Sequence, residues 1–171
     1  MKKIQMVDLK SQYNFIQDEV QTELQKVLET TSFINGPAVK EFQVELEKYL
    51  GVKHVIPCAN GTDALQIALM GLKLQPGDEV ITADFTFAAT VEVISLLQLK
   101  PVLIDVDSQT FNLDPTRIEA AITPKTKAII PVHLFGQAAD MDTINSIAAK
   151  HNLYVVEDNA QGIGARYANK K

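Results

Sequence analysis

The chain has 171 residues, 46% of them hydrophobic and 22% charged, with a mean hydropathy of +0.02. This is globular composition, and a domain of this length can bury roughly 70% of its unfolded surface. The formal net charge of −5 and the scattered lysines exclude the clustered basic face that nonspecific nucleic-acid or anionic-membrane binding requires. The single cysteine, Cys58, excludes an internal disulfide and fits a reducing compartment. It reads as a small buried hydrophobe at a strand end. Asp8 and Lys10 interrupt the N-terminal stretch, and no run of about eighteen apolar residues occurs. A cytoplasmic protein is expected.

Two amphipathic helices open the chain. Ile16, Val20, Leu24, Val27 and Leu28 recur along one helical face. Residues 30–36 break that helix. Pro37 suits the first turn of a second, whose stripe is Val39, Phe42, Leu46 and Leu50, with Gly51 as its stop. From Val52 onward short apolar runs alternate with helices. Strands are expected at 52–57, 79–82, 101–104, 128–132 and 154–156, and helices near 63–72, 88–98, 115–121 and 141–151. Asp114 and Asp140 are the expected N-caps of the last two helices, and Gln75-Pro76-Gly77-Asp78 is a strong breaker. Continuously apolar strands, each followed by a helix, imply an α/β fold with a mostly parallel sheet covered on both faces. A division into a helical segment, 1–50, and a larger domain, 51–171, follows. In such a sheet ligands bind at the carboxyl ends of the strands.

Three strand ends carry chemistry. The first offers Asn60-Gly61-Thr62-Asp63, a glycine and a threonine opening a helix, where free N–H groups and the helix dipole suit a phosphate. Taken alone, the same residues read more readily as a plain N-cap by Asn60 or Thr62. No P-loop lysine and no complete dinucleotide fingerprint accompany them. The second strand end, Phe85-Thr86-Phe87, places two aromatics in a turn where a planar ring can stack, or where the aromatics simply enter the core. The third, Glu157-Asp158-Asn159-Ala160-Gln161, sets a carboxylate just past a buried strand, where it must be hydrogen-bonded or face a cation. Asp158 can cap a turn, ligate a metal or face a cationic heterocycle. Its neighbour Glu157 points to the opposite face by strand alternation, and no metal-ligand cluster is evident. His133 ends the fourth strand and reads as a hydrogen-bonded scaffold residue; His54 and His151 read as surface positions. Phosphate cradle, aromatic plate and isolated acid together match the needs of pyridoxal 5'-phosphate (PLP), whose ring withdraws electrons best with its nitrogen protonated.

The ordered blocks Val7-Asp8-Leu9-Lys10, Asn35-Gly36-Pro37, Ala59-Asn60-Gly61-Thr62-Asp63-Ala64-Leu65, Pro76-Gly77-Asp78-Glu79-Val80, Phe85-Thr86-Phe87-Ala88-Ala89-Thr90 and Glu157-Asp158-Asn159-Ala160-Gln161 resemble the DegT/DnrJ/EryC1/StrS sugar aminotransferases. The resemblance implies the aspartate-aminotransferase fold (fold type I), of which this chain would be the N-terminal part. It implies PLP, with Gly61 and Thr62 on the phosphate, Phe87 stacked on the ring, Asp158 on the pyridine nitrogen and Gln161 donating to the phenolic oxygen. It implies amino transfer, from glutamate or another amino acid, to a nucleotide-linked keto sugar for polysaccharide biosynthesis, in a homodimer. The segments 112–115 and 120–132 are most similar to members that aminate a UDP-linked 3-keto sugar. The family's Schiff-base lysine falls downstream of Lys171, so no catalytic residue is assigned within the chain, and Lys170 and Lys171 do not match it. The 171 residues alone are expected to be inactive. Two rival readings are a PLP-dependent sugar dehydratase of the same family, with histidine replacing the lysine, and a non-catalytic half-fold that binds a phosphate ligand or a partner protein.

Overall fold

The computed structural model describes residues 4 and 6–169. They form two compact units, 1–57 and 58–171. The first unit is a pair of helices, α1 (Leu9–Thr30) and α2 (Pro37–Leu50). Asp8 caps α1 by accepting from the Ser11 N–H at 3.0 Å. The helix ends on Thr31 in left-handed conformation, φ 50°. Gly36 and Pro37 start α2, and Gly51 at φ 69° closes it. Both helices form where the apolar spacing places them, yet neither contains a fully buried residue. Leu24 and Leu28 remain 58% exposed and Phe42 55%.

The strand expected at 52–57 does not form. Pro57 lacks an N–H, no neighbouring strand pairs with the segment among the described residues, and the Val55 N–H donates instead to the Glu47 side chain at 3.1 Å. Cys58 is consequently exposed, not buried at a strand end. Its thiol donates to the Asn60 carbonyl at 3.3 Å.

The second unit is an α/β layer structure. Its elements run α3 (Gly61–Gly71), β1 (Glu79–Ala83), α4 (Ala88–Leu96), β2 (Lys100–Ile104), α5 (Ile118–Ala121), β3 (Thr126–Ile130), α6 (Met141–His151) and β4 (Tyr154–Val155). The four strands are parallel in the order β2-β1-β3-β4. Ile81 lies opposite Val102 on one side and Ile129 on the other. Asp140 caps α6, and Asp114 caps a short 3-10 turn that leads into α5. The 75–78 turn has Gly77 at φ 86°, with the Asp78 N–H donating to the Gln75 carbonyl at 2.9 Å. Proline followed by a positive-φ glycine is the sequence signature of that turn.

Alternation along the strands divides the core into two halves. Val80, Ala128 and Ile130 face Leu65 and Leu69 of α3 and Val93 and Ile94 of α4. Ile81, Ala83 and Ile129 face Ile118 of α5 and Met141, Ile144 and Ala148 of α6. Ile81, Ile94, Ile129 and Ile130 are fully buried, each contributing about 1.5–3 kcal/mol of transfer free energy. The sheet is therefore covered on both faces, as its uninterrupted apolar strands require.

Glu79 locks the strand starts. It is buried, and its carboxylate accepts from the Thr123 hydroxyl, from Lys100 at 2.9 Å and from the Thr126 hydroxyl. One side chain on β1 thus ties the beginnings of β2 and β3. The Thr123 hydrogen bond, followed by that of Lys100, lowers its pKa. A depressed carboxylate contributes stability that is full above the ordinary glutamate value of 4.5 and is lost as pH falls through its folded value. Urea unfolding followed from neutral to strongly acid pH is expected to show this loss. Glu79→Gln is expected to flatten that limb and lower stability at neutral pH; an unchanged acid limb would contradict the lock.

Candidate functional site

β3 and β4 pair beyond their regular ends. The Asp158 N–H donates to the Pro131 carbonyl at 2.9 Å, and the Asp158 carbonyl accepts from the His133 N–H at 3.1 Å. This pairing carries residues 157 and 158 to the carboxyl edge of the sheet with opposite orientations. Asp158 falls on the α3/α4 face and Glu157 on the other, as alternation predicts. Asp158 is 7% exposed. Its Oδ2 accepts from the hydroxyl of fully buried Thr90, in the first turn of α4, at 2.8 Å. Its Oδ1 accepts from the Ala160 N–H at 3.3 Å. The Thr90 hydroxyl lies 3.4 Å from that of Thr86.

Among the described residues no lysine, arginine or histidine forms an ion pair with Asp158. A carboxylate this buried, with hydrogen bonds but no countercharge, is suited to a cationic ligand at the strand ends. No group of three or more His, Cys, Asp or Glu able to hold a metal occurs among the described residues.

The Thr90 N–H donates to the Phe87 carbonyl at 3.1 Å, so Phe87 lies one helical turn from the residue that holds Asp158. Phe87 is the N-cap of α4 and is 67% exposed. The neighbouring Phe85 packs instead against Phe111, ring centroids 5.8 Å apart and tilted by 48°. Of the two aromatics, Phe87 is the one whose ring is left open.

Helix α3 packs on the sheet and ends just before the link 72–78 that leads into the start of β1. Its N-terminal turn therefore points to the carboxyl edge. Asn60 caps it, Oδ1 accepting from the Asp63 N–H at 2.9 Å and Nδ2 donating to the Asp63 carboxylate at 3.1 Å. The N-cap reading is thus realised by Asn60, but it leaves two donors unclaimed. The Gly61 and Thr62 N–H groups have no acceptor among the described residues. A Cβ on Gly61 would meet nothing within 4 Å. Open space beside unclaimed donors at a helix start is where an anion binds best.

Gln161 sits in the turn after β4 and is exposed. Its Oε1 accepts from the Phe135 N–H at 2.6 Å, which leaves the amide nitrogen as its outward donor. His133 is buried, and both ring nitrogens are used: Nδ1 accepts from the Ala139 N–H at 3.1 Å and Nε2 meets Glu157 at 2.8 Å. An acceptor at Nδ1 fixes the proton on Nε2, so this histidine is scaffold. Its hydrogen bond holds the Glu157 carboxyl below the usual carboxylate range. His54 is exposed; His151 is part-buried and pairs with Glu119. Lys170 and Lys171 lie outside the described residues.

Sequence reasoning singled out Asp158, Phe87, Gly61, Thr62 and Gln161, and all five sit on the unit built around the sheet. It missed Thr90, Asn112 and Phe135. Thr90 could have been found from its place one helical turn past Phe87; nothing local marks the other two.

The DegT/DnrJ/EryC1/StrS aminotransferase family profile matches residues 14–171. The chain is 52% identical over 168 residues to a UDP-2-acetamido-2-deoxy-3-oxo-D-glucuronate aminotransferase from Pseudomonas aeruginosa, covering 98% of this chain and 47% of that protein. It superposes with a TM-score of 0.98 and 37% identity on S. venezuelae DesV in complex with a ketimine intermediate, over 100% of this chain and 46% of the other. NtdA from Bacillus subtilis with bound cofactor PMP matches with a TM-score of 0.92 and 40% identity, over 96% of this chain and 38% of the other. The chain spans about half the length of the curated relatives it matches. With this match over residues 14–171, the chain belongs to the DegT/DnrJ/EryC1/StrS aminotransferase family.

Proposed function

We propose that this chain supplies the cofactor-holding part of a PLP-dependent aminotransferase that moves an amino group, from glutamate, onto a UDP-linked 3-keto sugar for polysaccharide biosynthesis. The observation that carries the reading is Asp158, a buried carboxylate at the sheet's carboxyl edge with a hydroxyl donor and, among the described residues, no countercharge. We assign Asp158 to the pyridine nitrogen, Phe87 to the ring face, Gly61 and Thr62 to the phosphate, and Gln161 to the phenolic oxygen. When bound, PLP supplies an electron-withdrawing ring that stabilises negative charge at the substrate carbon. Asp158 keeps the ring nitrogen protonated, and Thr90 fixes the carboxylate so that it does not have to reorient. Phe87 excludes water from one ring face, and the N–H groups of Gly61 and Thr62 hold the phosphate without a charged side chain. The amino donor leaves as its oxo acid and the keto sugar leaves as the amino sugar.

In this reading residues 1–50 form a helical segment and residues 51–171 belong to the cofactor domain. The working enzyme is a cytoplasmic homodimer longer than this chain, and the lysine that moves the proton lies downstream of Lys171. No helix among the described residues is long and apolar enough to cross a membrane. The decisive experiment gives PLP, glutamate and a UDP-linked 3-keto sugar to a protein extended to the relatives' length. Steady 2-oxoglutarate with an aminated sugar is expected; a deoxygenated sugar would overturn amino transfer in favour of dehydration.

Further outcomes are expected. Borohydride trapping of PLP on the 171-residue chain, followed by peptide mapping, finds no lysine pyridoxylated in stoichiometric amount and no transaminase activity. Phe87→Ala weakens PLP binding about two- to tenfold, the value of a stacking contact of roughly 0.5–1.5 kcal/mol. Asp158→Ala in the extended enzyme abolishes most turnover with the fold retained by circular dichroism. Thr90→Val follows it in milder form, by about 1.5–3 kcal/mol for a hydrogen bond to a charged group, and Thr90→Ser restores activity. Near-normal turnover in Asp158→Ala would remove this residue from the ring nitrogen.

A further inference from the structure

The turn after β3 contains a conformation that its own packing does not explain. Phe135 has φ 56° and ψ 19°, in the left-handed region, and its side chain is 75% exposed. A bulky non-glycine residue is uncommon there, and strain of this kind persists only where the surroundings impose it. Burial of the ring does not compensate for it. What the conformation achieves is to aim the Phe135 N–H at Gln161 Oε1, 2.6 Å away.

The turn is imposed from beneath by Asn112, which is 4% exposed. Asn112 Oδ1 accepts from the Leu134 N–H at 3.1 Å and Nδ2 donates to the Gln137 carbonyl at 3.1 Å. One buried amide thereby grips both ends of the turn. His133 braces the same loop through Ala139. Gly136, at φ 86°, lets the turn close onto residue 161, because a Cβ there would come within 3.2 Å of the Gln161 carbonyl oxygen.

We infer that Phe135 is a positioning residue: its left-handed backbone, clamped by Asn112, holds the Gln161 amide oxygen so that the amide nitrogen is presented as a donor to an acceptor oxygen on the cofactor ring. A backbone N–H can only donate, so the oxygen of Gln161 must face it and the nitrogen must face away. An outward donor fixed in this way selects a ring substituent that carries a lone pair, as a phenolic oxygen does. This rests on the PLP reading above. The backbone conformation, not the phenyl ring, is what matters.

Four substitutions separate the two. Phe135→Gly and Phe135→Asn remove the ring but adopt left-handed φ readily; Phe135→Val disfavours it, and Phe135→Pro fixes φ near −65° and removes the N–H. In the PLP-free, 15N-labelled chain, heteronuclear NOE values of the Gln161 side-chain amide are expected to stay rigid in wild type, Phe135→Gly and Phe135→Asn. They are expected to collapse in the other two. PLP titrated into the same proteins should bind within about threefold of wild type for the first pair and at least about tenfold more weakly for the second. Should the second pair fail to fold, Gln161→Ala in the wild-type backbone is expected to speed hydrogen exchange of the Phe135 amide several-fold. Unchanged exchange overturns the inference. So does an equal loss of PLP affinity in Phe135→Gly and Phe135→Val, which would assign the effect to the ring, or a rigid Gln161 in Phe135→Pro. A wild-type chain that binds no PLP, with the NMR pattern intact, overturns the cofactor reading and with it the purpose assigned to Phe135. Because the NMR arm needs no PLP, the two failures are distinguishable.

Discussion

A buried carboxylate is tolerable only where the chain supplies it with donors and leaves room for a countercharge, and the second unit is arranged around that requirement at Asp158. Two long-range features meet there. Parallel pairing extended past the regular ends of β3 and β4 fixes its backbone through Pro131 and His133. A hydroxyl from the first turn of α4 fixes one of its oxygens. Thr90 is 68 residues away in sequence, so the contact exists only once β1, β3 and β4 have assembled in order with α4 laid across them. The site is thus a consequence of complete folding of this unit.

The same edge also gathers groups that cost little to keep ready. Exposed Phe87 and the unclaimed N–H groups of Gly61 and Thr62 are hydrated in the absence of a ligand, and losing that water is a modest cost. Asp158 differs: with little solvent and no ion pair among the described residues, its charge gains most from a cationic ligand. The ranking of the expected mutational effects follows from this difference in solvation and not from the number of contacts each residue makes.

Elements bounded by strong local signals were legible in the sequence. Pro37 and Gly51 around α2, Asp140 before α6, and the Pro76-Gly77 turn act within a few residues, and the structure places each element there. The α6 span agrees at both ends, 141–151. The segment 52–57 misled because its apolar run satisfies a strand pattern while a strand also needs a neighbour, which no local pattern supplies. Cys58 was misjudged with it. The apolar stripes of α1 and α2 likewise gave the helices correctly, whereas burial of those stripes is a separate, non-local property.

The site was legible to the extent that strand alternation and strand-end position determine it. Opposite orientation of Glu157 and Asp158 needs only the two-residue period of a strand, and the scaffold role of His133 needs only that a buried histidine be satisfied at both nitrogens. Phe135 could not be read in this way. Its sequence neighbourhood, Leu134-Phe135-Gly136, suggests left-handed backbone at the glycine, and the structure has it at the phenylalanine as well. The cause lies in the amide of Asn112, which holds Leu134 from 22 residues earlier in the chain. A residue forced against its own preference by a distant buried clamp is invisible to any local rule. For the same reason it is informative once seen, because the strained backbone carries the N–H that the Gln161 side-chain oxygen accepts.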